Sequence, residues 1–393
     1  MRALEKSHSS RGRGACGAIA PGVLVAGAAL VLLSLPRPSS AAAGTSQRIT
    51  VGVSLTSFYD SNILEYSSDL LAQFEGGTRP ERFSLETTDD LVWNPAATLG
   101  WEWSNGRGRR HALRLRGEGD FHQKNSTADM RSASVGWRES WSRDRRLSVA
   151  YYTLPHFYLR QLVDEDAVLP YPDLSRYRRA EFGLTIASLD WSQRIGKGNS
   201  MGVAVQHERR RYNDDFRERD SGTHQAELAW GWTRLPHRGT LELRGLYRVS
   251  QAKAEDGDEV AGTTPDDVDV SYHGIGVGAH GEGEMRRQRD WRVLGDADIQ
   301  FTNRVYDSDR TADKYHFGRK DGLVSFELGL SARWGRAWRA RAYWHRDANT
   351  AKLGAAAPSS TDTGDYRRSQ VGLRLDWSGT LHRSKTSTSE EGE

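Results

Sequence analysis

Three histidines are the residues of this chain whose side chains could most directly do acid–base or metal chemistry. An imidazole titrates near neutral pH and can bind a metal ion, so His273, His280 and His345 are candidates for either role. They fall on different predicted strands, and the sequence places no carboxylate partner beside them. We therefore expect solvated or rim histidines, with neither a catalytic nor a metal-binding role.

An acidic run offers a second kind of site, because Ca²⁺ prefers oxygen ligands. The run is Glu255-Asp256-Gly257-Asp258-Glu259, with Asp266, Asp267 and Asp269 close behind it. Its spacing matches no defined calcium loop, so it indicates a solvated acidic loop, with Ca²⁺ binding as the alternative. We predict no cofactor and no resident metal.

Ser104 is the third candidate, as a possible nucleophile. The stretch Ser104-Asn105-Gly106-Arg107 resembles the Ser-Asn-Gly-Arg segment of barrel phospholipases, which use a His and a Ser on one strand. Two positions before Ser104, where the resemblance would require His, this chain has Glu102. Without an imidazole the hydroxyl has no base, and Asn-Gly between two alternating segments is itself a turn signal. The sequence therefore predicts a turn here and no enzyme.

The elements that would position any site begin after a leader. Arg2, Lys6, Arg11 and Arg13 precede the apolar run 22–35, and small residues follow it. This pattern predicts a secretory signal peptide over 1–43, cleaved after Ala43, with a retained anchor as the alternative. The single cysteine, Cys16, would leave with it. The exported chain would then have no disulfide, thiolate metal site or cysteine nucleophile.

Charge in the rest of the chain is almost balanced. Residues 44–393 contain 50 Lys+Arg and 51 Asp+Glu, so the net positive charge of the whole chain comes from the leader. Charges of both signs are interspersed and form no basic stripe that could follow a phosphate backbone. This argues against nucleic acid as a partner.

Apolar residues recur at every second position in about fourteen segments, as in Ile49/Val51/Val53/Leu55 and Val371/Leu373/Leu375/Trp377. That period is typical of strands with one apolar face. The connections alternate between short turns and long loops. We therefore predict an all-β, antiparallel up-and-down transmembrane barrel over 44–377, with about 14 strands (12 to 16), short periplasmic turns and long extracellular loops.

The tryptophans support a membrane setting. All 13 fall in or beside predicted strands, and eleven of them lie near a short turn or the end of the last strand. Tyrosines such as Tyr59, Tyr212 and Tyr306 favour the other rim. Interfacial aromatic belts are expected of a barrel in lipid, whereas a soluble β-sandwich, the alternative, has no reason to sort tryptophan by turn length.

The last predicted strand carries a family resemblance. In Gln370-Val371-Gly372-Leu373-Arg374-Leu375-Asp376-Trp377, the polar, glycine, apolar and aromatic positions are Gln370, Gly372, Leu375 and Trp377. This resembles the C-terminal assembly signal of Gram-negative outer-membrane β-barrels. The resemblance implies insertion by the barrel-assembly machinery, with outer-membrane lipid as the final surroundings. Residues 378–393 run on as a polar tail, which we expect to be disordered in the periplasm.

A second resemblance lies at the end of the first strand. Tyr59-Asp60-Ser61-Asn62 looks like the Tyr-Asp-x-Asn element of several poorly characterised outer-membrane barrels, including the barrel part of surface lipoprotein assembly modifiers. An interfacial ring followed by an Asx turn would explain the same residues physically.

Charged residues on the face opposite the apolar one are predicted to line the lumen, since an Arg or Lys facing lipid near the midplane would cost about 2 to 4 kcal/mol. Neighbouring charges would either leave a hydrated path or pair across a closed interior. The predicted lumen residues are Arg114, Arg116, Glu118, Asp120, Glu242, Arg244, Arg248, Arg292, Asp296, Asp298, Glu327, Arg333, Arg339, Arg341, Arg374 and Asp376.

The third long loop, residues 155–175, is unusually apolar around Asp164, Glu165 and Asp166. One hypothesis is that it folds into the lumen and sets this acidic triplet against wall arginines as a constriction. The alternative is a loop packed over the rim.

These features favour a porin-like channel for passive diffusion of small hydrophilic solutes, located in the outer membrane of a Gram-negative bacterium. The alternative function is a closed barrel that acts in surface interaction, adhesion, scaffolding or secretion.

Overall fold

A computed structural model of the chain describes residues 46–104, 109–142, 144–163, 177–253, 269–308, 313, 315–354 and 364–385. It contains fourteen strands and one α-helix, α1, at Ser68–Glu75. The strands are β1 Ser46–Asp60, β2 Asp90–Ser104, β3 Arg110–His122, β4 Met130–Ser140, β5 Arg145–Val163, β6 Tyr177–Ile195, β7 Asn199–Tyr212, β8 Ser221–Leu235, β9 Gly239–Ala252, β10 Tyr272–Arg287, β11 Trp291–Tyr306, β12 Lys320–Trp334, β13 Trp338–Lys352 and β14 Tyr366–Lys385.

Each strand pairs antiparallel with its neighbours in sequence, and β1 pairs with β14, so the sheet closes into a barrel. This confirms the predicted fold class and strand number. Short connections such as 196–198 and 335–337 gather at one end, here called the turn end, and long ones such as 61–89 at the other, the loop end. Among the described residues, no helix is long and apolar enough to cross a membrane.

The strand register separates two faces. Val53 and Leu55 of β1 lie opposite Trp377 and Leu375 of β14, and this row of apolar side chains continues around the outside. Outer side chains such as Leu228 and Leu373 are 66% and 67% exposed. Apolar groups left uncovered to this degree all round a molecule are suited to lipid.

Tryptophan completes the outer face. The alternation of side chains along each strand places all twelve strand tryptophans on the outside, most of them near the turn end. Trp334 and Trp338 stack with ring centroids 6.3 Å apart, and Trp101 and Trp103 lie 4.6 Å apart. They form the aromatic belt expected where a barrel meets the interface. At the loop end, Tyr59 faces outward, but Tyr212 and Tyr306 lie on inward-facing positions, so a matching tyrosine belt does not form from the tyrosines that the sequence offered.

Two predicted boundaries are wrong in the structure. The barrel does not end at Trp377, because β14 continues to Lys385 and the extra residues pair with Ser46–Gly52 of β1, with a bulge between Ile49 and Thr50. The loop predicted from residue 155 begins later, because β5 continues to Val163 and pairs with β6 through two bulges. In both places the strand continues because a partner strand pairs with it, although the apolar alternation there is too weak to predict a strand.

The first long connection, residues 61–89, folds into a compact body that we call the mouth segment. Helix α1 begins there because the Ser67 side chain accepts a hydrogen bond from the Leu70 amide, which caps the first turn. Apolar residues at helical spacing, Leu70, Leu71 and Phe74, then lie on one side of the helix and pack against the rest of the segment. The buried core contains Ile63, Leu64, Tyr66, Leu70, Leu85 and Tyr158, with Leu71, Phe74, Phe83 and Ala128 packed against it.

Candidate functional site in the barrel lumen

All sixteen predicted lumen residues lie on inward-facing positions. The pairing of Asp298 with Glu327, and of Arg339 with Asp376, places them in rows opposite the apolar rows outside. Their accessibility varies: the Glu242 and Asp298 side chains are 47% and 34% exposed. Charged groups with this much exposure stand in open space rather than in a packed interior. That they line a conducting path stays a prediction.

The charges pair along the wall rather than across the barrel. Arg341 of β13 donates to Asp296 of β11 at 2.5 Å and to Glu327 of β12 at 2.6 Å. The first bond passes over Gly329 of β12, where a Cβ atom would lie 2.5 Å from the guanidinium. Glycine is therefore needed at 329 to let this ion pair lie flat against the wall.

A similar group lies on the adjoining strands. Arg244 of β9 donates to Asp298 of β11, and His280 of β10 lies 3.3 Å from the same carboxylate. Before His280 the inward positions of β10 are Gly276 and Gly278, and the Arg244 side chain lies against Gly278. Each of these pairs spans at most one intervening strand, so the paired side chains lie along the wall.

The three candidate histidines each have a carboxylate partner, contrary to the sequence-based expectation. His273 lies 2.7 Å from Asp307, and His280 lies beside Asp298. His345 has two partners: Nε2 is 2.8 Å from Asp347 and Nδ1 is 3.5 Å from Glu327. Strand register brings these partners together, which sequence spacing alone could not show.

Carboxylates on both sides of His345 do not make a catalytic arrangement. A general base needs one ring nitrogen free to take a proton from a nucleophile, and both nitrogens of His345 face acids. No group of three or more His, Cys, Asp or Glu with metal-binding geometry occurs in the parts of the chain that the structure describes. The acidic loop predicted as an alternative Ca²⁺ site lies outside those parts except for Asp269.

Two cavities occupy the turn-side half of the lumen. The larger, about 650 Å³, is bordered by residues of β1–β9 and β14, including Arg48, Arg110 and Arg138. The smaller, about 260 Å³, lies against β1–β4 and β14. Both are bordered by Glu102, Ala112 and Arg138, so they adjoin. The interior is thus roomy and polar in this half.

At the loop end, the mouth segment is attached beside an ion pair that joins β14 to β1 and has a buried carboxylate. Arg368 of β14 donates two hydrogen bonds to Asp60 of β1, from Nε at 2.8 Å and from Nη2 at 2.5 Å, and a third to Glu65 at 3.1 Å. The Asp60 side chain is 1% exposed. Asn62 adds a bond to the Arg367 carbonyl at 3.1 Å. The mouth segment is therefore fixed to β14 on the inner side.

The same segment reaches the opposite part of the rim. Arg160 of β5 donates to the Leu64 carbonyl at 3.3 Å and lies 5.6 Å from the centre of the Tyr66 ring. Tyr158 of β5 bonds Ser84 and belongs to the same apolar core. Because β14 and β5 are five places apart in the closed strand order, the segment lies across part of the barrel opening.

The constriction predicted for the loop around Asp164 falls on residues that the structure does not describe. The role of Asp164, Glu165 and Asp166 therefore stays a prediction. Tyr158, expected in that loop, is instead on β5 and packs against the mouth segment. The signal for this segment was present in Ser67 followed by Leu70, Leu71 and Phe74, which is a helix cap and an apolar stripe.

The Tyr-Asp-x-Asn element and the assembly-signal residues have visible structural contacts. The Asn62 amide donates to Asp60 Oδ1 at 3.0 Å, which is an Asx turn. Gln370 donates to the same Asp60 at 2.8 Å, and Gly372 lies under the Tyr343 ring. Leu375 and Trp377 lie on the outer face. Recognition of Gln370, Gly372, Leu375 and Trp377 by the assembly machinery stays a prediction.

A second buried acid fixes the loop between β11 and β12. Asp313 accepts hydrogen bonds from the Asp269 amide at 3.0 Å and the Ser308 hydroxyl at 3.2 Å, and contacts His316 Nδ1 at 3.0 Å. Burial acts to raise the pKa of Asp313, but hydrogen bonds and charge from His316 outweigh it and lower that pKa. Burial lowers the pKa of His316, against the opposing effect of Asp313.

Comparison with known proteins gives structural likenesses only. No protein-family model and no curated protein matches the chain. Similar solved structures include a bacterial polysaccharide outer membrane secretin, with TM-score 0.41 and 10% identity over 84% of this chain and 98% of that one. The outer membrane channel DcaP of Acinetobacter baumannii has TM-score 0.43 and 10% identity, over 87% and 100%.

An anion-selective porin from Comamonas acidovorans has TM-score 0.37 and 10% identity, over 86% of this chain and 100% of that one.

Likenesses at this level decide neither fold nor function, so both must be derived from the barrel itself. Strands whose backbone hydrogen bonds are all satisfied by ring closure, with apolar side chains outside and charges inside, meet the requirements of a bilayer. The protein is a β-barrel of the outer-membrane type.

Proposed function

We propose that the protein is a porin-like channel through which small hydrophilic solutes diffuse across the outer membrane. The observation that carries the proposal is the charged, cavity-containing interior. Small barrels fill their lumen with side chains, whereas here the wall charges pair sideways and leave adjoining cavities of about 650 and 260 Å³. A hydrated interior bounded by charged groups is the environment that polar solutes need.

The mouth segment would set the aperture of this channel at the loop end. It is fixed at β14 by Arg368 and at β5 by Arg160, and its helix and core give it a defined shape. A folded segment across part of the opening narrows the entrance without requiring movement. Its position accounts for a channel that passes small solutes and holds back larger ones.

Conductance of the purified chain in planar lipid bilayers tests the proposal. We expect discrete current steps of constant size, because the lumen has one geometry. A protein that is folded, as shown by heat-modifiable migration in gels, and yet produces no steps would overturn the proposal. That result would favour the alternative of a closed barrel whose loops bind a partner.

A further inference from the structure

We infer that the smaller lumen cavity is a binding site for a small oxyanion, a carboxylate or a phosphate, and that it makes the channel anion-preferring. The anion preference rests on the proposed channel function, whereas the binding site is supported by separate observations. Four arginines border the cavity, Arg114, Arg116, Arg138 and Arg374, and we call it the arginine pocket.

The charges of the pocket do not cancel. Arg116 donates to Glu118 at 2.8 Å, and Arg374 donates to Asp376 at 2.8 Å. Among the described residues, Arg114 and Arg138 have no carboxylate within ion-pair distance, although Glu102 also borders the cavity. Two guanidinium groups therefore form no direct ion pair with any carboxylate that the structure describes, and the four arginines of the lining outnumber its two carboxylates, Glu102 and Asp376.

The Arg114 guanidinium is also surrounded by cations. Arg116, Arg138 and Arg374 all lie close enough to repel it. Like charges brought together at a partly dehydrated wall are unfavourable unless an anion joins them. An oxyanion bound between them would turn this repulsion into charge-assisted hydrogen bonds.

Local sequence provides the room for such an anion. The strand neighbours of Arg114 are Gly100 on β2 and Gly136 on β4. The Thr50 hydroxyl lies against Gly100, so the free space beside Arg114 is on the Gly136 side. A Cβ atom at Gly136 would meet nothing closer than 3.8 Å. The planar guanidinium offers paired donors that match carboxylate and phosphate oxygens.

The size of the pocket fits this class of ligand. A volume of about 260 Å³ is roughly that of nine water molecules in the liquid. Inorganic phosphate or a four-carbon dicarboxylate fits with some of its water retained. Farther along the wall, Arg292, Arg333 and Arg339 stand side by side in register, which extends the positive potential toward the turn end.

Calorimetric titration of the detergent-solubilised protein with sodium phosphate and with sodium succinate tests the site. We expect at least one of them to bind, and to lose roughly tenfold or more in affinity in the double variant Arg114→Gln/Arg138→Gln. Arg289→Gln, which removes an exposed charge from the turn between β10 and β11, is the control and should bind as the parent does. The phosphate and succinate arms distinguish the two sources of oxyanion.

Absence of binding with either probe would overturn the inference, as would equal binding by the folded double variant. Arg114→Lys/Arg138→Lys covers the case in which the Gln variant fails to fold: it should keep the anion preference of the reversal potential in a salt gradient but bind the oxyanion more weakly. Oxyanion binding without any current would refute the channel proposal and support the binding site. If the Gln variant conducted with an unchanged reversal potential, the channel proposal would stand and the role of the arginine pocket in anion preference would be refuted.

Discussion

The two ends of the lumen use arginine in opposite ways. At the loop end, the Arg368 guanidinium is shared between Asp60 and Glu65, and the Asp60 carboxylate is almost completely buried. At the turn end, Arg114 and Arg138 have no ion-pair partner among the described residues, and they share a cavity with Arg116 and Arg374. An arginine paired with a buried carboxylate fixes structure, whereas an unpaired, solvated one is available to a passing solute.

Removing Arg368 should give the largest change, because it would strand the Asp60 carboxylate in a buried site. Breaking a buried ion pair from one side costs about 3–5 kcal/mol. In Arg368→Ala we expect the mouth segment to detach and residues 61–89 to become sensitive to protease. Replacing both partners, as in Asp60→Asn/Arg368→Met, should recover much of the protection. If Arg368→Ala were as resistant as the parent protein, the ion pair would not be what holds the segment.

The apolar core of the mouth segment should come next. Leu70 is 1% exposed, and truncation of a buried leucine to alanine costs about 2–5 kcal/mol. Hydrogen exchange across 61–89 should therefore be much faster in Leu70→Ala, with exchange in the strands unchanged. Leu71→Ala, at a partly buried neighbour, is the matched control and should have a smaller effect. Equal effects of the two variants would contradict the packing described.

Most of the barrel was predictable because a strand with one apolar face repeats every two residues, and that repeat fixes which side chains face inward. Asp296 and Arg339 could be placed by counting from Val293 and Trp338. The mouth segment could not, since its attachment joins Glu65 to Arg368, which are 303 positions apart. Nor could partners such as Glu327 and His345, which depend on the register between two strands.

Acid should loosen the loop between β11 and β12 without affecting the barrel. The pKa of His316 is below its ordinary value of 6.5, so the unfolded loop takes up a proton that the folded loop resists, and stability falls as the pH drops through about 6.5. Asp313, whose pKa is lowered, keeps its contribution until the pH falls below its ordinary value of 3.8.

Hydrogen exchange of residues 315–319 at pH 7.5 and pH 5.5, corrected for the intrinsic exchange rates, checks this. Exchange should be faster at the lower pH in the parent protein. In His316→Asn the pH difference should shrink, and in His382→Asn, which changes an exposed histidine of β14, it should persist. A pH difference of the same size in all three proteins would rule out His316 as its cause.

Two tyrosine hydroxyls in the mouth segment core should give the smallest and most discriminating effects. The Tyr66 hydroxyl is buried without a hydrogen-bond partner among the described residues, whereas the Tyr158 hydroxyl bonds Ser84. Tyr66→Phe should leave stability within about 0.5 kcal/mol of the parent. Tyr158→Phe should cost about 1 kcal/mol. Thermal unfolding of the two variants would reveal the difference, and the reverse order would show that the core is packed differently.

The central claim is that the mouth segment sets the aperture while the arginines set the preference for anions. Because Asp60 and Asp90 are paired neighbours, a short Gly-Ser turn can replace residues 61–89 without straining β1 or β2. The most direct measurement is the single-channel conductance and reversal potential of this variant beside the parent in a salt gradient. We predict a larger conductance and an unchanged preference for anions. An unchanged conductance, or a preference that turns to cations, would contradict the account.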